Sequence, residues 1–415
     1  MLLLRRPVPL ALAIGLFAEA LFLFRVQVPH MLVFDEIHYV PAARMLLTLA
    51  GPRNTEHPLL GKELIALGIR LFGDNSFGWR VMSTLAASAV VTGVFAIAWL
   101  LWGRLRTAAL AAAAVLLNFT VFVQARIAML DGFMAAFAVV GVAALLWSMR
   151  AESAGAAWRR WLAGAALLGL ATACKWVALP YVGLAGVAFL WVRWRDPRGR
   201  CHWPGMSTIP ALFLLGAVAA LAYFATFAPA FFYADQPLAL STLLPFQAEM
   251  FRQQTQVLPP HPYQSAWWSW PLMIRPIWYL YERADGAQRG ILMIGNPAML
   301  WSGLVAVALC LWTGWRERDA KLTAVALLWI ASLAIWAVIP KSLGFFYYYY
   351  LSSILLALPI AGAWQRFGRG RLKGWDEAYV IVLAGVFAWF FPILAALPLG
   401  GPQSFQRWMW FSSWP

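Results

Sequence analysis

Charge is what this chain has least of. Only 12% of its 415 residues are Asp, Glu, Lys or Arg, against about 25% in a soluble domain. Acids are the scarcer sign, 17 against 32 basic residues. That poverty excludes the two or three soluble domains that the length alone would allow. Cysteine is sparse too. Cys174, Cys201 and Cys310 are scattered, which excludes a disulfide framework and a cysteine zinc site. Internal repeats and low-complexity tails are absent as well. The net charge of +15 does not indicate nucleic acid, because no polar domain gathers the basic residues.

What the chain has in abundance is apolar length. It is 62% hydrophobic, with a mean hydropathy of +0.69. Apolar runs near twenty residues alternate with short basic loops, the pattern of membrane helices rather than of a barrel's alternating strands. Eleven spans are expected, near 8–25, 79–102, 107–124, 128–149, 159–174, 177–194, 208–229, 293–315, 322–340, 345–364 and 377–398. Alternate loops then carry Arg5, Arg6, Arg104, Arg106, Arg150, Arg159, Arg160, Arg193, Arg195, Arg198, Arg200, Arg316, Arg318, Lys321, Arg366, Arg369, Arg371 and Lys373. More than half of the basic residues thus share one side in mostly short loops, so that side is expected to be cytoplasmic, with the N-terminus inside and the C-terminus outside. Arg5 and Arg6 resemble the start of a signal peptide, but no small-residue cleavage site follows and the first run reads as an uncleaved span.

The whole of 1–415 reads as one all-α membrane domain with two sizeable outer loops, 28–78 and 230–292. In the first, Leu60, Leu64, Leu67 and Leu71 fall on one helical face, predicting an amphipathic helix with Pro58 in its first turn. The second is too small for an ordinary independent domain. Its W-W-S-W run suits an interfacial belt or a platform for a sugar or lipid.

Chemistry concentrates in Val33–Lys62, which holds Asp35, Glu36, His38, Arg44, Arg53, Glu56, His57 and Lys62. Adjacent helical residues point about 100° apart, so Asp35 and Glu36 divide between a reaction centre and its bracing. A carboxylate shielded from bulk water suits a general base. A solvated acidic helix start accounts for the pair equally well. Arg126 and Asp131 either pair to tie two spans or serve the same surface. Lys62, Arg126, Lys175 and Lys341 all fall on the outer side and together could neutralise a phosphate, although lysines often snorkel at such places. Glu19 lies inside the first span, and its partner cannot be read from sequence. Asn118-Phe119-Thr120 matches a glycosylation acceptor but sits in an apolar run. His57, Glu56, Asp35 and His261 are too scattered to predict a metal site, and none is expected.

As a set, F-D-E-I-H-Y after the first span, then H-P-L-L-G-K and R-I-A-M-L-D, resembles the protein O-mannosyltransferases of the GT-C class. K-W at 175–176, I-G-N-P at 294–297 and F-F-Y-Y-Y-Y-L agree, so the resemblance runs nearly the whole chain. Leu59 departs from the second proline of the family's H-P-P-L motif, and the loop at 230–292 is too short for the MIR domain of eukaryotic members, which suggests a bacterial type.

The resemblance implies a GT-C fold and an inverting transfer of mannose from a polyprenyl-phosphate carrier to Ser or Thr. Asp35 is then the base, and Glu36 shares the catalytic site by positioning the acceptor or its neighbours. Lys62, Arg126, Lys175 and Lys341 hold the donor phosphate, and Glu56, His57 and Asp131 support them. No cofactor is implied. The implied partners are polyprenyl-phosphate-mannose, a secreted or membrane protein acceptor, the secretion translocon and membrane lipid. The implied place is the bacterial inner membrane, with the site on its periplasmic face. Glu56-His57 also resembles the E-K-P-P-L stretch of aminoarabinose transferases, so another sugar or a lipid acceptor remains an alternative. A secondary transporter is the alternative of another class, but transporters place charge near mid-membrane and favour repeats.

Overall fold

The computed structural model describes residues 6–196 and 202–415; Arg5, Arg198, Arg200 and Cys201 lie outside the described residues. The first helix, α1 (Pro7–Leu23), is followed by two short helices of the first loop, α2 (Glu36–Thr48) and α3 (Leu60–Phe72). Next come α4 (Ser76–Trp102), α5 (Leu105–Leu116), α6 (Phe119–Ala125), α7 (Leu130–Ser148), α8 (Ala154–Cys174), α9 (Leu179–Arg195) and α10 (Thr208–Ala225). The second loop contributes α11 (Leu240–Thr255) and a hairpin, β1 (Ile277–Ala284) and β2 (Ala287–Met293). The chain closes with α12 (Pro297–Arg316), α13 (Ala320–Ala334), α14 (Tyr350–Leu355), α15 (Ala357–Phe367) and α16 (Trp375–Leu394).

All eleven expected spans fall on helix, but length and composition do not confirm the count of eleven. Among the described residues eight helical runs can cross a membrane, and α5 with α6, bent by 63°, makes up to nine. The two left over are α1, a 17-residue apolar helix, and α8, whose first turns carry Arg159 and Arg160.

Local sequence explains the ends. Asn75 caps α4 by accepting from the amides of Phe77 and Gly78, both at 3.0 Å. Asn118, in the glycosylation-like tripeptide, instead caps α6 and donates to Ser353 Oγ at 3.0 Å. Glu19 of α1 finds its partners on α4, accepting from Thr84 Oγ1 at 2.7 Å and Ser88 Oγ at 2.8 Å. That satisfies an acid inside an apolar helix.

The leucine stripe of α3 turns outward along its length, from half-buried Leu60 and Leu64 to exposed Leu67 and Leu71. Leu67 and Leu71 are 41% and 61% exposed, while Gly61, Ile65, Gly68 and Ile69 face inward. Gly68 lets α3 seat on α4, since a Cβ there would lie 2.3 Å from the carbonyl oxygen of Gly78. An outward apolar stripe beside polar loop residues suits a helix lying in the membrane interface. Pro58, expected in its first turn, precedes the N-cap Leu59 instead.

The hairpin corrects the purely helical expectation. Asp285 and Gly286 both take positive φ, 47° and 75°, between β1 and β2. Asp-Gly in that conformation is a favoured two-residue hairpin turn.

Candidate active site

The chain leaves α1, turns at Phe34 with φ 52°, and enters α2 with Asp35 at the N-cap. The hairpin holds that turn: Tyr279 of β1 stacks on Phe34 with ring centroids 4.0 Å apart and planes within 10°. The two neighbouring acids then part. Glu36 is fully buried against Arg80 of α4, whose Nε and Nη2 each donate to one carboxylate oxygen at 2.8 Å. The amides of Val33 and Ala128 also donate to Glu36 at 2.8 Å. With four donors on its two oxygens, Glu36 is bracing, and the expected catalytic share does not fit its surroundings. Arg80 completes the knot by donating to the carbonyls of Val26, Pro29 and Met31.

Asp35 faces the other way, into a cavity of about 180 Å³. Its walls come from three places in the chain. The first loop gives Asp35, His38, Tyr39, Asn54, Glu56 and His57, and the end of α11 with the following segment gives Gln253, Gln254, Gln256 and Leu258. Lys341, Ser342, Leu343 and Phe345 form the opposite edge, with Tyr348 beyond them. Ser342 ties the two edges, donating to the carbonyl of Gln256 at 3.0 Å and accepting from the amide of Leu258 at 3.2 Å. The Asp35 carboxylate accepts from Tyr39 Oη at 3.3 Å. Burial lifts its pKa above the usual 3.8, with Asp131 pushing the same way and Lys175, His38 and Tyr39 opposing.

The expected cations do not act as one cluster. Arg126 was expected beside Asp131, but it ends α6 and turns to α1, donating to the carbonyls of Phe22 at 3.2 Å, Arg25 at 3.0 Å and Phe24. There it caps a helix C-terminus, where cations are favoured. Asp131 pairs instead with Lys175, whose Nζ donates to both carboxylate oxygens at 2.9 and 2.8 Å. That buried ammonium also lies 5.4 and 5.5 Å from the ring centroids of Tyr347 and Tyr348. Lys62 is fully buried and donates to the carbonyls of Asn54 and His57 at 2.7 and 2.8 Å, clamping the loop that shapes the cavity. Burial pulls its pKa down to about 7 against the fields of Glu56 and Glu63.

Of the four, Lys341 alone lines the Asp35 cavity, and burial with the nearby Lys175 lowers its pKa to about 8. His57 sits amid Lys62, Lys175 and Lys341. Burial and then those three charges hold its imidazole well below the usual 6.5. Glu56 accepts from Asn54 Nδ2 at 2.8 Å. Among the described residues no three His, Cys, Asp or Glu side chains gather as metal ligands.

Sequence reasoning passed over Arg80, Asn54, Gln254, Tyr39 and Tyr279. Arg80 carried a signal, being a charge inside an expected span and therefore in need of a partner. The others became visible only through tertiary contact. A larger groove of about 420 Å³ adjoins, between the first loop and α11, with Arg53, Lys62, Glu249 and Arg252 among its lining residues. The charged groups of the site thus lie in loops and at helix ends rather than in helix middles, unlike the transporter pattern.

Comparison with known proteins agrees with this architecture. A family model described as dolichyl-phosphate-mannose-protein mannosyltransferase matches residues 72–234. One described as the C-terminal four TMM region of protein-O-mannosyltransferase matches 239–414. A polyprenol-phosphate-mannose–protein mannosyltransferase of Mycobacterium tuberculosis is 29% identical, over 92% of this chain and 86% of that one. An aminoarabinose transferase of Pseudomonas fluorescens is 37% identical, but only over 29% of this chain and 23% of that one. In fold, the chain is similar to the S. cerevisiae protein O-mannosyltransferase Pmt1-Pmt2 complex bound to the sugar donor, with TM-score 0.82 and 13% identity over 99% of this chain and 92% of that one. Two adjoining matches to one family, a relative along nearly the full length and a shared fold agree: the chain belongs to the protein O-mannosyltransferase family.

Proposed function

We propose that this membrane protein transfers mannose from a polyprenyl-phosphate carrier to Ser or Thr hydroxyls of proteins, with Asp35 as the base. The observation that carries this reading is the division of the acid pair. Glu36 is fully engaged, whereas Asp35 borders a polar cavity with only Tyr39 Oη donating to its side chain among the described residues. The acceptor hydroxyl oxygen bonds to the anomeric carbon of mannose as its proton passes to Asp35. The bond from that carbon to the phosphate oxygen breaks on the opposite face, and the lipid phosphate leaves with the electron pair. A base with a raised pKa pulls the proton more strongly. Lys341 at the cavity edge, backed by the fields of Lys62 and Lys175, stabilises the leaving phosphate. Arg126 and Asp131 position the scaffold, the one through α1 and the other through Lys175.

The reaction faces the non-cytoplasmic side in this reading. Arg106 pairs with Asp376 and Arg366 with Glu317 at helix ends beside the short loops in which basic residues collect. Acceptors are then translocated proteins. The test is incubation of purified protein with labelled polyprenyl-phosphate-mannose and a Ser/Thr-rich acceptor protein. Label on Ser or Thr is expected. Label passing only to lipid would overturn the acceptor assignment and favour the aminoarabinose-transferase-like alternative.

A further inference from the structure

The pairing of β1 with β2 slips once. Trp278 faces Leu292 and Leu280 faces Ile291, so Tyr279 is an extra residue without a partner across the ladder. A bulge of this kind re-aims a side chain, and bulges are frequent beside active sites. Here the re-aimed ring is the one stacked on Phe34. Tyr347 meets both rings edge-on, with centroids 5.5 Å from Phe34 and 6.2 Å from Tyr279. Phe34 needs that clamp. At φ 52° it lies in the sparsely occupied left-handed region, where a residue other than glycine persists only when its surroundings hold it.

The far end of the Tyr279 ring is held as well. Gln124, fully buried in the last turn of α6, donates from Nε2 to Tyr279 Oη at 3.2 Å. The Oε1 of the same amide is buried and has no hydrogen-bond partner. A glutamine that leaves a buried atom unpaired weakens the fold around it, and an apolar side chain would pack there more favourably. Packing therefore does not explain Gln124, whereas its bond to Tyr279 does.

We infer that Gln124 and Tyr279 are positioning residues for Asp35: Gln124 orients the Tyr279 ring, the ring holds Phe34 in its turn, and the turn sets where the neighbouring Asp35 carboxylate stands. The inference rests on Asp35 being the base, as proposed above. The flanks of the turn are already tied, since the Val33 amide donates to the Glu36 carboxylate and Arg80 holds that carboxylate. Between those fixed points a rotation at Phe34 is taken up at Asp35. A misplacement of about 1 Å can lose ~10² in rate, so the stack acts on turnover without touching substrate.

A double-mutant cycle on full-length protein in nanodiscs tests this, with labelled polyprenyl-phosphate-mannose and acceptor protein. Tyr279→Leu removes the stack, whereas Tyr279→Phe and Gln124→Leu each remove only the hydrogen bond. Tyr279→Leu is expected to lower kcat roughly ten-fold, and the other two by less and by equal amounts, with donor KM unchanged. Gln124→Leu combined with Tyr279→Phe should lower kcat no further than either alone. It should also keep the unfolding temperature, since no unpaired polar atom remains. Repeated on Asp35→Asn, each substitution should change the residual rate by less than about two-fold, because residues acting through one group lose their effect once it is gone. Undiminished losses in that background overturn the inference alone. So does an unchanged kcat in all variants, or a loss seen only in donor KM or unfolding temperature, which marks a structural role. If Tyr279→Leu fails to fold, Tyr279→Phe and Gln124→Leu complete the cycle. Near-normal turnover by Asp35→Asn defeats the base assignment and the inference with it. Transfer only from polyprenyl-phosphate-aminoarabinose defeats the proposed sugar, and the cycle run with that donor still decides the positioning.

Discussion

At the residue scale, two adjacent carboxylates of the same charge and nearly the same size do different work. The difference is one of partners. Arg80 and two backbone amides occupy Glu36, so Glu36→Gln leaves the fully buried guanidinium without its counter-charge. Breaking such a pair costs about 3–5 kcal/mol. Glu36→Gln is therefore expected to lower the unfolding temperature in detergent markedly, and a variant of unchanged stability would refute the bracing role. In the proposed mechanism Asp35 and Lys341 instead set the pH profile. Burial raises Asp35 above 3.8, so the proposed base loses its proton only at a higher pH than an ordinary aspartate. Lys341 loses its proton, and with it its hold on an anion, as pH rises through about 8. Both limbs together give a bell-shaped kcat/KM profile, whose falling limb moves up in Lys341→Arg. A falling limb that stays in place would remove Lys341 from the site. Sequence disclosed Asp35 as the sharpest candidate because charge is so rare around it. It could not disclose the exchange of partners at Arg126, Asp131 and Lys175. Only four residues separate Arg126 from Asp131, which suggested a pair, yet the folded chain turns one to α1 and the other to the end of α8.

At the element scale, periodicity located the helices but did not show which face packs against the bundle. The leucines of α3 form the stripe that sequence displayed, but α3 packs through Gly61, Ile65, Gly68 and Ile69 on its other side. A small-residue face that lets two backbones approach has little hydrophobic signal to detect. Gly68→Ala places a methyl against the carbonyl of Gly78 and is expected to cost about 1–3 kcal/mol in thermal unfolding. It should also weaken donor use, because Lys62 on the same helix clamps the Asn54–His57 loop. Full stability in Gly68→Ala would show that the α3–α4 approach is not tight. The hairpin was legible and went unread. Asp285-Gly286 between runs rich in tyrosine, tryptophan and isoleucine is a strong turn signal, masked here by the expectation of helices throughout. Tyr279, the hairpin's contribution to the site, pairs with Phe34 across the chain, and no local pattern announces that contact.

At the scale of the whole molecule, hydropathy gave the membrane class, while the number of spans depended on a bend and two marginal helices that composition cannot resolve. The orientation makes a direct prediction. A cysteine in place of Pro260 should react with a membrane-impermeant thiol reagent from the non-cytoplasmic side and one in place of Glu152 from the cytoplasmic side, each with Cys201 changed to Ser. Buried Cys174 and Cys310 should stay silent. Reaction of both introduced cysteines from one face would contradict the topology. The central claim is that all of this architecture serves to present Asp35 to a sugar on a lipid phosphate. It is tested most directly by the initial rate of mannose transfer from labelled polyprenyl-phosphate-mannose to acceptor protein by Asp35→Asn beside the unaltered enzyme. The account predicts a fall of roughly 10²-fold or more with donor binding and unfolding temperature preserved; near-normal turnover by Asp35→Asn would contradict it.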